Sequence, residues 1–277
     1  MLLAIDIGNT NIVIGGIQSD GKITCEARIA TDRTRTSDQY GVEIKSMLEA
    51  FGCQIADVED CIISSVVPPV FNAVRSGVYK ITERKPMVVG HGLKTGLDIR
   101  MDNPSQVGSD RIVIAVAALA RRRAPLILID MGTATTVEVI EPKNRYMGGV
   151  IMPGARLSLD ALTSHTAQLP GINMDRPGRI IAKNTVDSMR SGIMYGTAAM
   201  LDGVIDRMEE ELGHPSTIVA TGGVAPYIIP LCRHRITLER DLLLQGLFEI
   251  YRLNRRSGAG PKETPPPCKG GRDGAEK

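Results

Sequence analysis

Ala4-Ile5-Asp6-Ile7-Gly8-Asn9-Thr10-Asn11-Ile12-Val13 decides how this chain is read. An apolar run ends in an acid, turns through small polar residues and resumes as a β-branched run, the pattern of strand, turn, strand. Gly8 can adopt a left-handed backbone and Asn9 tolerates one. Without a Cβ, Gly8 also lets the backbone N–H groups of the turn approach an anion. Asp6 closes the strand facing that turn and offers the hard oxygen donor that a hydrated divalent cation takes; Thr10 adds a hydroxyl. Alone, the stretch reads as well as an ordinary hairpin. A second copy changes the balance. Leu128-Ile129-Asp130-Met131-Gly132-Thr133-Ala134-Thr135-Thr136-Val137 repeats Ile-Asp-x-Gly, a small polar segment and a β-branched strand. One phosphate turn near the head of each half points to a duplicated domain that clamps a nucleotide between its halves.

Composition narrows the function classes. The 277 residues suit two domains of moderate size, and 43% hydrophobic content is enough for two cores. A net charge of +2 gives no electrostatic footprint for nucleic acid, and 3% aromatic content without Trp gives no stacking platform for bases. Five Cys without a Cys-x-x-Cys pair read as reduced thiols in a cytoplasmic protein. The chain enters a strand at once, without a charged leader. Its longest alanine-rich apolar run, Ile112 to Ala120, is too short for a membrane span. Arg121-Arg122-Arg123 then reads as cations at a helix C-terminus, with a basic targeting patch as the alternative. His91, His165, His214 and His234 form no ligand pair at helical spacing, against a metalloenzyme.

The pattern predicts strands over Leu2–Ile7, Asn11–Gln18 and Lys22–Ala30, a helix over Tyr40–Phe51, a buried strand over 61–67, a helix to Thr82 and a strand at Met87–Val89. That β-β-β-α-β-α-β order is one ribonuclease H-like half. Residues 91–107 read as loop. Strands 126–130, 134–140 and 145–151 repeat the opening meander. They lead through Gly148-Gly149 and Pro153-Gly154 into helices near 155–165 and 186–212, a strand at 217–220, a short helix at 225–231 and a last helix at 240–253. Thr221-Gly222-Gly223 offers bare backbone for a flat ligand such as adenosine, or is plain turn chemistry. The expected division is residues 1–123 and 124–256, followed by a disordered tail at 257–277 rich in Pro, Gly and charge.

Gly108-Ser109-Asp110-Arg111 stands directly before an apolar helix. Asp110 can be an acid that complements the helix dipole. It can equally be a carboxylate base, with the neighbouring guanidinium for an anionic substrate.

In combination, Asp6-Ile7-Gly8-Asn9-Thr10, Gly108-Ser109-Asp110-Arg111, Asp130-Met131-Gly132-Thr133-Ala134, Gly148-Gly149 with Pro153-Gly154, Asn184-Thr185 and Thr221-Gly222-Gly223 resemble the type III pantothenate kinases, from Met1 to about Asn254. These belong to the superfamily of acetate and sugar kinases, heat-shock chaperones and actin. The resemblance implies an α/β protein of two ribonuclease H-like domains with ATP in the cleft, and transfer of a phosphoryl group from ATP to pantothenate, the first step of coenzyme A synthesis. It implies ATP contacts from Asp6, Ile7, Gly8, Asn9, Thr10, Asn11, Ile12, Val13 and Thr133. Asp110 would be the base; Met101, Gly108, Ser109, Arg111 and Thr185 would line the pantothenate site. Asp130 would hold K⁺ or NH₄⁺, with Mg²⁺ carried by the nucleotide. The family is dimeric, with sites near the subunit interface. The chain departs from the family's pattern at Met101, where Tyr is usual, at Ser109 for Ala, and at Arg190 for Gln.

No Gly-x-x-x-x-Gly-Lys-Ser/Thr occurs, against a P-loop kinase. The phosphate turns alone fit a kinase acting on a sugar or an acyl acid as well. Relatives of this family described as accessory factors in transcription give a non-enzymatic alternative, disfavoured by the balanced charge and intact acids.

Overall fold

The computed structural model describes residues 1–90 and 92–255. His91 and the expected tail at 257–277 lie outside the described residues. Strand β1 (Leu2–Ile7) runs antiparallel to β2 (Asn11–Ile17), and β2 antiparallel to β3 (Ile23–Ala30). β1 is buried along its whole length, so its apolar residues run together rather than alternate, as in a strand covered on both faces. Helix α1 (Ser37–Ala50) opens on a capping box: the Thr36 hydroxyl accepts from the Gln39 N–H, and the Gln39 side chain accepts from the Thr36 N–H. That box starts the helix before the expected Tyr40. β4 (Asp60–Ser65) returns parallel to β1. α2 (Pro68–Thr82) starts on its prolines, which need no N–H partner there, and β5 (Met87–Val88) finishes a sheet of order β3-β2-β1-β4-β5.

Next come β6 (Asp98–Ile99) and helix α3 (Ser109–Arg121). The second half follows with β7 (Leu126–Met131), β8 (Ala134–Glu141), β9 (Arg145–Pro153), α4 (Ala155–Ser164), α5 (Thr185–Leu212), β10 (Thr217–Thr221), α6 (Ala225–Ile228), β11 (Ile236–Leu238) and α7 (Leu242–Arg255). Its sheet runs β11-β10-β7-β8-β9-β6. Apart from β6 at the edge, this is the first sheet's order over again, with β7 in the place of β1 and β10 in the place of β4. The registers match at the acids. Asp6 stands opposite Val13 and beside Ser64; Asp130 stands opposite Thr136 and beside Thr221.

Three expectations are corrected. Residues 91–107 are not all loop: β6 leaves the first half and pairs with β9, Asp98 with Arg145 and Ile99 with Tyr146. β11, flanked by Arg and Glu, was not expected; it gains its place by parallel pairing with β10. Cys25 and Cys53 are not free thiols but a disulfide. β3 and the turn after α1 bring their Cα atoms to 6.6 Å, within reach of a bridge. Among the described residues Cys61 and Cys232 are free. No helix among them is long and apolar enough to cross a membrane.

The core has layers. α1 and α2 cover one face of the first sheet, with Tyr40, Ile44, Leu48, Val70, Val74 and Val78 against Ile5, Ile7 and Ile63. α3 and α7 lie together on its other face. Val113 and Val116 of α3 meet Leu2, Ala4, Leu244, Leu247 and Ile250, while Ile114, Ala115 and Ala118 turn toward Leu126, Leu128 and Val219 of the second sheet. α3 is thus apolar nearly all round because it is wedged between both sheets, as a helix buried on every side must be. The two helices touch closely at Gly246, where a Cβ would run into the Val113 carbonyl.

Candidate active site

The strand ends β1 and β7 each deliver an acid to the head of a turn. The first turn is closed by the Gly8 N–H donating to the Asn11 carbonyl at 3.0 Å, and the second by the Gly132 N–H donating to the Ala134 carbonyl at 3.0 Å. A Cβ on Gly8 would sit 3.0 Å from the Asn11 carbonyl, so the first turn favours glycine. Thr31 braces that turn from β3's end: its hydroxyl donates to the Gly8 carbonyl at 2.6 Å and its N–H to the Thr10 carbonyl at 3.0 Å. The two turns meet. The hydroxyls of Thr10 and Thr133 are 2.7 Å apart across the two halves.

Two glycine motifs distant in sequence serve the second turn. A Cβ on Gly154 would stand 2.5 Å from the Gly132 carbonyl. Gly222, at φ +102°, places its Cα where a Cβ would be 2.5 Å from the Met131 backbone. Gly223 by contrast is open, and its nearest foreign atom is Arg28 Nη1 of the first half, 3.8 Å from a Cβ there. Gly222 is thus fitted to close packing on the second turn, while Gly223 is open.

The third carboxylate comes from α3. Asp110 lies in its first turn; its Oδ1 accepts from the Arg111 N–H at 2.8 Å. Gly108 leaves room for it, because a Cβ at 108 would lie 2.5 Å from that same oxygen. Ser109 fixes the helix start to β4: its hydroxyl donates to the Ser65 carbonyl at 3.0 Å, accepts from the Ser65 N–H at 3.2 Å, and lies 2.9 Å from the Ser64 hydroxyl. This serine therefore ties the start of α3, where Asp110 lies, to the strand beside Asp6.

Asp6, Asp110 and Asp130 form one electrostatic unit. Burial pushes Asp6 up to about 7, with the Asp110 and Asp130 charges adding to the rise and the Ser64 hydroxyl opposing it. Burial and the charge of Asp110 push Asp130 up to about 7. Asp110 is raised by burial, against the Arg111 N–H and guanidinium, which lower it. One oxygen of Asp6 is buried without a hydrogen-bond partner. Such a group lacks a cation or donor. No three carboxylates, imidazoles or thiols of the described residues converge on one metal position, so a cation here needs further oxygens from water and from a polyphosphate.

The remaining expected residues divide. Ile7 and Ile12 are fully buried, their side chains in the core, so they can offer a nucleotide only backbone. Val13 packs on the opposite face of the sheet. Asn9, Thr10, Asn11 and Thr133 are exposed at the turns. Met101 reaches the same wall as Arg111: its sulfur would lie 2.5 Å from a Cβ on Gly148, and both it and Tyr146 belong to the cluster under α3. Thr185 opens α5 on the surface behind its cap, Asn184. No side-chain hydrogen bond of the described residues ties it to Asp110. Arg190 bridges Asp175 at 2.8 Å on the exterior. Sequence reasoning missed Glu138, which takes Arg111, and Ser64 and Thr31. Glu138 carried a signal, a charge between Val137 and Val139 in an apolar strand.

The family model described as type III pantothenate kinase matches residues 2–207. The chain belongs to the type III pantothenate kinase family. It is 43% identical over 254 residues to a type III pantothenate kinase of Bacillus cytotoxicus, covering 92% of this chain and 97% of that one. It is 44% identical over 256 residues to one from an Exiguobacterium species, covering 92% of this chain and all of the relative. In fold, this type III pantothenate kinase family member is similar to a conserved Baf family protein of Campylobacter jejuni described as a transcriptional activator (TM-score 0.59, 16% identity, 92% and 99% coverage). It is similar also to an activator of 2-hydroxyisocaproyl-CoA dehydratase from Clostridium difficile, seen with ADPNP bound (TM-score 0.53, 12% identity, 95% and 99% coverage). The architecture is the actin-like ATPase fold, α/β with two mixed sheets.

Proposed function

We infer that this protein is an ATP-dependent kinase that transfers the γ-phosphoryl group of ATP to the hydroxyl of pantothenate, giving ADP and 4′-phosphopantothenate. The observation that carries the reading is the placement of Asp110. It stands at the start of α3 within electrostatic reach of both turn acids, with its carboxylate not ion-paired to any described side chain. Phosphoryl transfer goes through a loose transition state, so positioning and charge neutralisation matter more than covalent chemistry. The two turns, with Asp6 to Val13 on one side and Thr133 on the other, cradle the phosphates. Asp110 accepts the hydroxyl proton as the new P–O bond forms and ADP departs, an effect of about 10²–10⁴-fold. Gly108, Ser109 and Arg111 stand at the pantothenate side, with Met101 packing against its chain.

The donor set fits cations. The orphaned Asp6 oxygen and the raised Asp130 carboxyl are oxygen donors that gain from a positive charge. Mg²⁺ carried by ATP would sit over Asp6, and K⁺ or NH₄⁺ would sit at Asp130; when bound, they neutralise charge on the phosphates. A homodimer accords with the exposed Ile151, Leu157, Ile180 and Ile181 of the second half. A second copy over Ile180-Ile181 would reach the neighbouring Thr185 as well.

The test is ADP release from ATP, Mg²⁺ and pantothenate, with K⁺ or Na⁺, for the wild type and Asp110→Asn. Turnover that requires pantothenate, rises with K⁺ and collapses in the variant supports the assignment. A folded protein silent on pantothenate in every salt removes it.

A further inference from the structure

Glu138 is a carboxylate where a strand should be apolar. It is 3% exposed, between Val137 and Val139 on β8. A buried ion of this kind is sustained only by charged and hydrogen-bonding partners. Glu138 has two. The Arg111 Nε donates to its Oε1 at 2.6 Å, and the Tyr146 hydroxyl donates to its Oε2 at 2.5 Å. Tyr146 is itself fully buried. Its backbone is fixed by β6, since the Arg100 N–H donates to the Tyr146 carbonyl at 2.8 Å. The Arg111 guanidinium lies 5.9 Å over the Tyr146 ring.

Asp110 precedes Arg111 in the same helical turn, yet their side chains form no ion pair; Glu138 is the carboxylate that Arg111 takes. Residues one apart on a helix do not face each other, so Asp110 is not placed to hold the Arg111 guanidinium and another group has to fix it. The charge-assisted bond to Glu138 is of the strong kind that can do so. Arg111 engages Glu138 through Nε and also meets the Tyr146 side chain; a guanidinium has five N–H donors, so donors beyond these two contacts remain for another anion.

We propose that Glu138, held by Tyr146, is a positioning residue that fixes the Arg111 guanidinium beside Asp110 and presents its outer edge to the carboxylate end of the substrate. This rests on the reading of Asp110 as the base and Arg111 as a substrate ligand. The bland alternative is a buried ion pair that merely holds β8 to α3. It predicts lost stability, without a selective loss toward one substrate.

The experiment measures kcat and both KM values, at one pH and with melting temperatures as a control on folding, for Arg111→Ala, Glu138→Gln, Tyr146→Phe and the Arg111→Ala/Glu138→Gln double variant. Glu138→Gln should raise the pantothenate KM about 10-fold or more and lower kcat, while the ATP KM stays within about twofold. Tyr146→Phe removes one of the two bonds holding Glu138 and keeps its charge; it should raise the pantothenate KM several-fold. In the Arg111→Ala background, Glu138→Gln should add nothing to the pantothenate KM. Unchanged pantothenate constants in folded Glu138→Gln overturn the proposal, and so does an additive double variant. If Glu138→Gln does not fold, Tyr146→Phe decides in its place, and an unchanged pantothenate KM there refutes the idea. An Arg111→Ala enzyme with a normal pantothenate KM shows instead that the role given to Arg111 fails, and the proposal falls with it.

Discussion

Asp6→Asn should make the ligand-free protein relatively more stable as pH rises, while abolishing its activity. Asp6 is 5% exposed, and burial together with the charges of Asp110 and Asp130 raises its carboxyl from 3.8 to about 7. The unfolded chain gives up this proton as pH passes about 4, whereas the folded protein keeps it until about 7. Folding therefore loses free energy across that window and no more above it. The difference of roughly three units corresponds to about 4 kcal/mol at pH 8. Asn carries no proton to lose. The buried amide costs about 1–3 kcal/mol at every pH if it lacks partners, so the absolute difference between variant and wild type is the wrong readout. The change of that difference with pH is the right one. Thermal unfolding of both proteins without ATP or Mg²⁺, from pH 4 to pH 8, should show the variant gaining on the wild type by about 2–4 kcal/mol. That is on the order of 4–16 °C in melting temperature for a chain of this size. The gain should be confined to pH 4–7 and flat beyond. Parallel curves for the two proteins would refute the argument, since they would mean that the Asp6 carboxyl titrates alike in the folded and unfolded chain. Added Mg²⁺-ATP should stabilise the wild type and leave Asp6→Asn nearly unmoved.

Gly246→Ala puts a methyl group into the Val113 backbone where α7 crosses α3; it should cost about 2–4 kcal/mol in chemical unfolding, and a neutral result would mean the two helices separate easily. Gly222→Ala combines a φ of +102° with a Cβ 2.5 Å from the Met131 backbone. It should raise the ATP KM well before it affects that of pantothenate, a split readable in initial-rate kinetics. Thr10→Val removes the hydroxyl that meets Thr133. The site is exposed, so melting should shift little while the ATP KM rises several-fold.

The fold was legible where one signal had one meaning. The Asp-x-Gly turns set both meanders, and a buried β4 announced itself as Cys61-Ile62-Ile63 between polar ends. The short elements escaped, because their cause is not local. β6 is two residues that exist as a strand only because Arg145 and Tyr146 lie beside them. β11 is likewise held by β10, and the Cys25–Cys53 bridge by the packing of α1 on β3. At the site, the acids were legible because each follows or precedes a distinctive glycine. The partner of Arg111 was not, since nothing adjacent to Arg111 reports Glu138, which the fold brings from another strand. The glycines at 154 and 222 showed in the sequence as glycines; that both serve the Met131–Thr133 turn is visible only in three dimensions.

The position of α7 has a consequence for how the chain is made. Leu2 and Ala4 share their buried cluster with Leu244, Leu247 and Ile250, which are synthesised about 240 residues later. At about 5–20 residues per second, the nascent chain holds that face of its first sheet open for roughly 10–50 s before α7 arrives to close it. The α1 and α2 face can be completed early; the α7 face cannot. Ribosome-bound chains halted before Leu242 should therefore be captured by chaperones, while the released protein is not.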